Sequence, residues 1–194
     1  MKRKTQRWLL LLALLLPMAL QAQTYHSVPY VENFENPVES TMLPTGWVNY
    51  ATDSTPNGVF PAVVNNSSAA HDGEYYLRME GDYRAVVVTA TPEFEDLSQL
   101  MIDFYCYVNT SHLPTAFEVG VMEDSLFVPV DTVAFSSVSS GYTYYPIQVY
   151  FNNYSGNGHR IAFRTTRSSS IGMHAVYIDN LVVSIAPPLS APAW

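Results

Sequence analysis

The sequence predicts an all-β fold, a two-sheet antiparallel β-sandwich of the jelly-roll kind. Three observations predict it. Apolar and polar residues alternate with a period of two in run after run, the pattern of strands with one packed face and one wet face. Clusters of Gly, Pro, Asn, Asp and Ser separate roughly ten such runs. No stretch after the leader carries the apolar period of a long amphipathic helix. Strand after strand with tight turns gives a sandwich, and the lack of an internal repeat disfavours a propeller or solenoid.

The chain opens on a leader. Lys2, Arg3, Lys4 and Arg7 form a basic start, "WLLLLALLLPMAL" runs apolar, and "QAQ" supplies the small residue Ala22. That is the layout of a secretory signal peptide over residues 1–22, with an apolar run short for a bilayer span. An uncleaved anchor is the alternative. No cysteine follows the run to take a lipid. The expected location is therefore secreted or cell-surface, without membrane insertion once the leader is cleaved.

The domain is expected over residues 23–186. "YVENFEN" (30–36) reads as its first strand, with Glu32 and Glu35 flanking Phe34. "AVVVTA" (85–90) is apolar on both phases and reads as a strand covered on both sides. "LMIDFYCYV" turns Leu100, Ile102, Phe104, Cys106 and Val108 inward and Asp103, Tyr105 and Tyr107 outward. "AFEVGVM" places Phe117, Val119 and Val121 inward and Glu118 outward. "YTYYPIQVYF" sets Tyr145, Ile147, Val149 and Phe151 against Tyr142, Tyr144, Gln148 and Tyr150. "HRIAFRTT" sets Ile161 and Phe163 against Arg160 and Arg164. "AVYIDNLVVSI" (175–185) is again covered on both sides. Turns fall at "TPNG" (55–58), "HDG" (71–73), "EGD" (80–82) and "SGNG" (155–158). Residues 187–194 read as a proline-rich tail or linker leading toward a further module.

Charge narrows the partners. The chain has nine Lys and Arg against 17 Asp and Glu; with four basic residues in the leader, five arginines face 17 acids, a net of −12. Such a surface repels phosphate backbones and anionic lipid, so nucleic acid is not an expected partner. A divalent cation suits the excess carboxylate. A lone cysteine in an exported domain of this size argues for a bacterial product stabilised by its core. Cys106 lies on a core phase and reads as a buried small hydrophobe. In a bacterial product the sequons at Asn65, Asn66, Asn109 and Asn153 are chance matches.

One acid stands out. Asp179 interrupts a run of Val, Tyr, Ile and Leu, where a carboxylate is costly unless it is paired, hydrogen-bonded or bound to a cation. If first and last strands are neighbours, Glu35 converges on it. Calcium takes six to eight oxygens from carboxylates, amides and carbonyls, at about 2.3–2.6 Å. The expected metal set is Glu35, Asp179, Asp72 and Asn33. The alternative is that Asp179 caps a loop through backbone N–H groups while Glu35 is solvated.

A first strand ending "FEN", then "LPTGW", "SSAAHDGEYYLRM" and a final "VYIDNLVVSI" resembles the MAM-like jelly rolls. More narrowly, the pattern is similar to the cleaved-adhesin domains of secreted bacterial surface proteins, including the haemagglutinin-adhesin parts of gingipains. The likeness covers residues 28–186. It implies a concanavalin/MAM-like or galactose-binding-like sandwich, stabilised by calcium, that binds and performs no chemistry. It also implies that Glu35 and Asp179 are the family's acids and His71–Gly73 its turn. The cysteines of eukaryotic MAM domains are absent here, so their bridges do not carry over.

Enzyme signatures are missing: there is no G-x-S-x-G and no H-E-x-x-H, and the five histidines are scattered. "EFED" (93–96) superficially offers paired carboxylates, which leaves a glycoside hydrolase as the remote alternative. Pro92 before it and "DLSQ" over 96–99 make it a solvated loop. Trp47 reads as a packing residue. The expected ligand face is Tyr105, Tyr107, Tyr144, Tyr150, Arg160 and Arg164, the outward residues of three strong strands. The expected partners are a host extracellular protein or a glycan, as in an adhesin or a carbohydrate-binding module.

Overall fold

The structure, a computed structural model, describes residues 24–36, 42–50, 61–81, 86–109, 115–135, 142–165 and 174–188. The leader, the "TPNG" turn and most of the tail lie outside them. Eleven strands are present among the described residues: β1 (Tyr30–Glu32), β2 (Val48–Asn49), β3 (Ala62–Asn65), β4 (Tyr75–Gly81), β5 (Val88–Glu93), β6 (Leu100–Asn109), β7 (Thr115–Glu123), β8 (Leu126–Phe135), β9 (Tyr145–Tyr150), β10 (Arg160–Thr165) and β11 (His174–Ile185). They form two sheets, and every pairing is antiparallel. The first runs β3-β4-β11-β6-β9 with β1 also on β11, and the second runs β2-β5-β10-β7-β8. None of the described helical segments is long and apolar enough to cross a membrane.

The inward phases read from the sequence fill the space between the sheets. Ile102, Phe104 and Cys106 meet Phe117, Val119, Val121, Ile161 and Phe163 there, all fully or nearly fully buried. Phe104 stands edge-on to both Phe117 and Phe163. Each such side chain contributes about 1.5–3 kcal/mol by leaving water, so the alternation itself drives the two sheets together. Tyr145 departs from its expected inward place. It is 38% exposed at the sheet edge, against Phe135 of β8.

β11 organises the first sheet. One of its edges pairs with β6 over Ala175–Asp179 and Val182–Ile185; the other pairs with β4 over His174–Ile178 and then with β1 over Leu181–Val183. First and last strands are therefore neighbours. Between the two stretches β11 bulges. Asp179 faces Tyr105 and Val182 faces Asp103, so β11 holds one residue more than β6. Asn180 absorbs the extra residue at φ +48°, a left-handed conformation that Asn tolerates better than most. The bulge lets both Ile178 and Leu181 face the core while Asp179 points outward.

The outward side of the first sheet is not bare. The β3–β4 connection folds back over it as a flap, secured at its base by Asn66 N–H to Glu74 O and by Ala69 and Ala70 N–H to Asn66 O. Ala69 is fully buried in a second apolar cluster with Tyr76, Tyr107, Ala175 and Tyr177. This explains why the final strand reads as apolar on both phases.

Candidate functional site

The two acids from opposite ends of the sequence meet on one turn. Asp179 Oδ2 accepts the N–H groups of His71 (2.9 Å) and Asp72 (3.2 Å), and its Oδ1 accepts that of Asn180 (2.8 Å). Glu35 Oε1 accepts the N–H groups of Glu74 and Tyr75, each at 2.9 Å. Asp72 Oδ1 takes the remaining one, from Gly73. Five consecutive amides, 71 to 75, thus end on three carboxylates. The reason lies in the sheet. The turn sits where β11 passes from β4 to β1, a seam with no strand to receive those donors, so side-chain carboxylates take them. Charge-assisted acceptors are the strong kind.

Asp179 is 0% exposed. Burial pushes its carboxyl up to about 6, against the pull of the three N–H bonds and of His71 nearby. Glu35 is not simply solvated: Gly73, at φ +67°, lets its carboxylate lie flat on the turn, where a Cβ would collide with it. Asn33 Oδ1 accepts the Glu35 N–H at 3.2 Å and shapes the approach. Glu32 belongs to a separate network, taking the Phe34 N–H and the Tyr30 hydroxyl, while Trp47 Nε1 donates to Tyr30 Oη. Trp47 also stacks parallel to Phe163, which makes it a packing residue.

The tyrosines divide between the covered and the open parts of one face. Tyr107 is only 7% exposed beneath the flap, packed on Tyr142, Tyr144 and Tyr177, so it is not an available contact. Tyr144 is half-buried and donates its hydroxyl to Ala69 O at 2.7 Å, holding the flap down. Tyr105 stacks on the His71 ring at 3.7 Å, and Asn180 Nδ2 lies 3.2 Å from His71 Nδ1. Beyond that pair none of the described residues covers the face. Tyr150 (38% exposed) donates to Gln148 Oε1 at 2.6 Å, and Gln148 Nε2 donates to Asp103 Oδ1 at 2.7 Å.

The arginines do not join them. The single six-residue face expected from the sequence requires β10 to lie beside β6 and β9, but β10 pairs with β5 and β7 in the second sheet. Arg160 bonds the Gly46 and Thr91 carbonyls and pairs with Glu93. Arg164 pairs with Glu118 at 2.6 Å and lies over the Phe127 ring at 4.2 Å. Both are committed to tying that sheet together.

The acidic "EFED" run is spoken for as well. Glu93 ends β5, Phe94 is buried, and Asp96 caps a 3-10 turn at Leu97–Gln99 by accepting from the Ser98 N–H and hydroxyl. Cys106 is fully buried, and desolvation raises its thiol well above its ordinary value, as befits a core residue. Two further members of the site are His71, expected only as part of the turn the resemblance implies, and Asn180, which the sequence does not single out. The signal for them is adjacency, since each immediately flanks an acid or turn residue already suspected.

Comparison with solved structures fits this architecture. The K2 cleaved adhesin domain of Lys-gingipain matches with a TM-score of 0.61 and 12% identity, over 81% of this chain and 100% of that one. The K1 domain from Porphyromonas gingivalis W83 gives 0.61 and 12%, over 83% and 100%. The K3 domain from the same organism gives 0.56 and 15%, over 80% and 96%. The chain has the fold of the cleaved adhesin domains. At such identities the likeness establishes the fold alone. No family model and no curated protein sequence matches the chain.

Proposed function

We propose that this chain is an exported, non-catalytic binding domain of adhesin type that recognises an extracellular glycan or host protein through the outer face of its first sheet. The observation that carries the reading is the concentration of tyrosines on that one face, held by a flap and a hydrogen-bonded row, while the outward arginines of the second sheet are engaged in ion pairs. Tyrosine offers a ring to stack on a sugar or an apolar side chain, with a hydroxyl to orient it. The test is binding of the purified domain to immobilised glycans and matrix proteins, alongside Tyr105→Ala and Tyr150→Ala. Saturable binding weakened at least tenfold by either change supports the reading; binding to neither class ends it.

We propose calcium as the stabilising ion, at the turn shared by Glu35, Asp179, Asp72 and Asn33. Among the described residues no group of three or more His, Cys, Asp or Glu side chains is arranged to hold a metal. The turn's N–H groups already occupy one oxygen each of Glu35 and Asp72 and both of Asp179. As these side chains stand they form no cation site, so an ion held by Glu35, Asp179, Asp72 and Asn33 would require the turn to give up some of these hydrogen bonds. An ion bound only by the native state raises the melting temperature by mass action. A melting temperature identical in calcium and in chelator rejects it.

A further inference from the structure

We infer that the open half of this face is a ledge for a neutral, polyhydroxylated chain, an uncharged glycan running across β11, β6 and β9. The inference rests on the binding role proposed above and names its site and ligand class. The flap ends at the stacked His71–Tyr105 pair, which stands as a wall where the covered half of the face stops. Past it the register sets a floor of outward residues: Val182 beside Asp103, Asp103 beside Gln148, and Met101 beside Tyr150. Val31 of β1, opposite Val182, is 62% exposed and extends the floor.

The hydrogen-bond directions select the ligand. Tyr150 spends its proton on Gln148, and Gln148 spends one amide proton on Asp103, so the amide is oriented by both partners. What the row leaves open is Asp103 Oδ2, lone pairs on the Tyr150 hydroxyl, and one Gln148 N–H. Acceptors outnumber donors, and one acceptor is a carboxylate. Sugar hydroxyls supply the missing protons, while the Pro146 and Tyr105 rims and the Met101 and Val182 floor accept the apolar face of a pyranose. A sulfated, phosphorylated or uronic chain meets the Asp103 charge with a single donor to offset it. Of the described arginines, Arg160 and Arg164 lie on the other sheet, and Arg78 sits on β4 opposite Tyr177, over that ring and paired with Glu80. Charge complementarity therefore excludes anionic glycans.

The experiment is titration calorimetry of the full chain with neutral β-linked hexasaccharides, an oligogalacturonate, a de-N-acetylated amino-sugar hexamer and a set of matrix proteins. Wild type is compared with Asp103→Asn, Gln148→Ala and Tyr150→Ala, and with Asp131→Asn on β8 as a charge-matched control on the other sheet. All are checked for an unchanged melt. The inference expects a neutral oligosaccharide to bind, with a tenfold or greater loss in each ledge variant and none in the control. Binding unaffected by the ledge variants overturns the site while the adhesin reading stands. Preference for the acidic or the amino-sugar chain overturns the ligand class. Binding to matrix proteins alone overturns the inference without touching that reading, and binding to nothing removes both.

Discussion

Replacing Asp179 separates hydrogen bonding from charge at the flap. Asp179→Ala strands three N–H groups, from His71, Asp72 and Asn180. A fully buried stranded donor costs about 1–3 kcal/mol; these three are part-buried, so together they give roughly 2–4 kcal/mol. Asp179→Asn keeps one oxygen for His71 and Asp72 and gives up the buried charge. The carboxyl, raised to about 6, is still ionised at neutral pH, at a folding cost of roughly 3 kcal/mol relative to an ordinary aspartate at 3.8, because a tenfold change in proton affinity is worth about 1.4 kcal/mol. The asparagine therefore recovers most of what its weaker acceptor loses, and its net cost is about 1 kcal/mol. The assay is equilibrium unfolding in denaturant at pH 7 with chelator present throughout, joined to amide exchange at 71, 72 and 180. Equal effects from alanine and asparagine, or an alanine cost under about 0.5 kcal/mol, refute the argument that these bonds hold the flap.

The other predictions concern the same turn and its surroundings. Glu35→Ala should cost about 1–2 kcal/mol and speed exchange at Glu74 and Tyr75, while leaving His71 and Asp72 protected. Gly73→Ala should cost at least about 1–2 kcal/mol from its positive φ, with a further loss from displacing Glu35, read as a lower denaturation midpoint. Trp47→Phe should keep the stack on Phe163 and lose the Tyr30 bond, about 1 kcal/mol by the same measurement. Because the folded carboxyl of Asp179 binds its proton more tightly than an ordinary aspartate at 3.8, its contribution to stability should fall as pH rises from about 4 to about 6, then level off. Melting curves in chelator should show that slope; saturating calcium should flatten it, since a bound cation holds the carboxylate ionised.

Much of this was legible in residue order. Alternation marked β6, β7 and β10 and their inward residues, and apolar runs on both phases marked the doubly covered strands, because burial is written locally every second residue. That Glu35 and Asp179 come to the same part of the molecule was legible too, from the adjacency of first and last strands, though they bond different amides of one turn. What stayed hidden depends on long-range pairing. Nothing local tells Arg164 that its strand joins β5 and β7, nor tells Tyr107 that residues 66–75 fold back to cover it. The bulge at Asn180, which aims Asp179 outward, is likewise a property of two strands together.

The pairing of β1 with β11 has a mechanical consequence. Tyr30 lies opposite Val183 and Glu32 opposite Leu181, so the segments flanking this pair leave the sandwich at the same end. Tension applied through both would peel the ladder rung by rung instead of shearing all rungs at once. The tear would run three rungs, from Tyr30 to Glu32, and then arrive at Phe34 in the core and Glu35 fastened to two amides. The acid-bound turn is thus the rip-stop of the short β1–β11 ladder, behind the outer bonds from His26 to Glu93 and from Ala186 to Gln99.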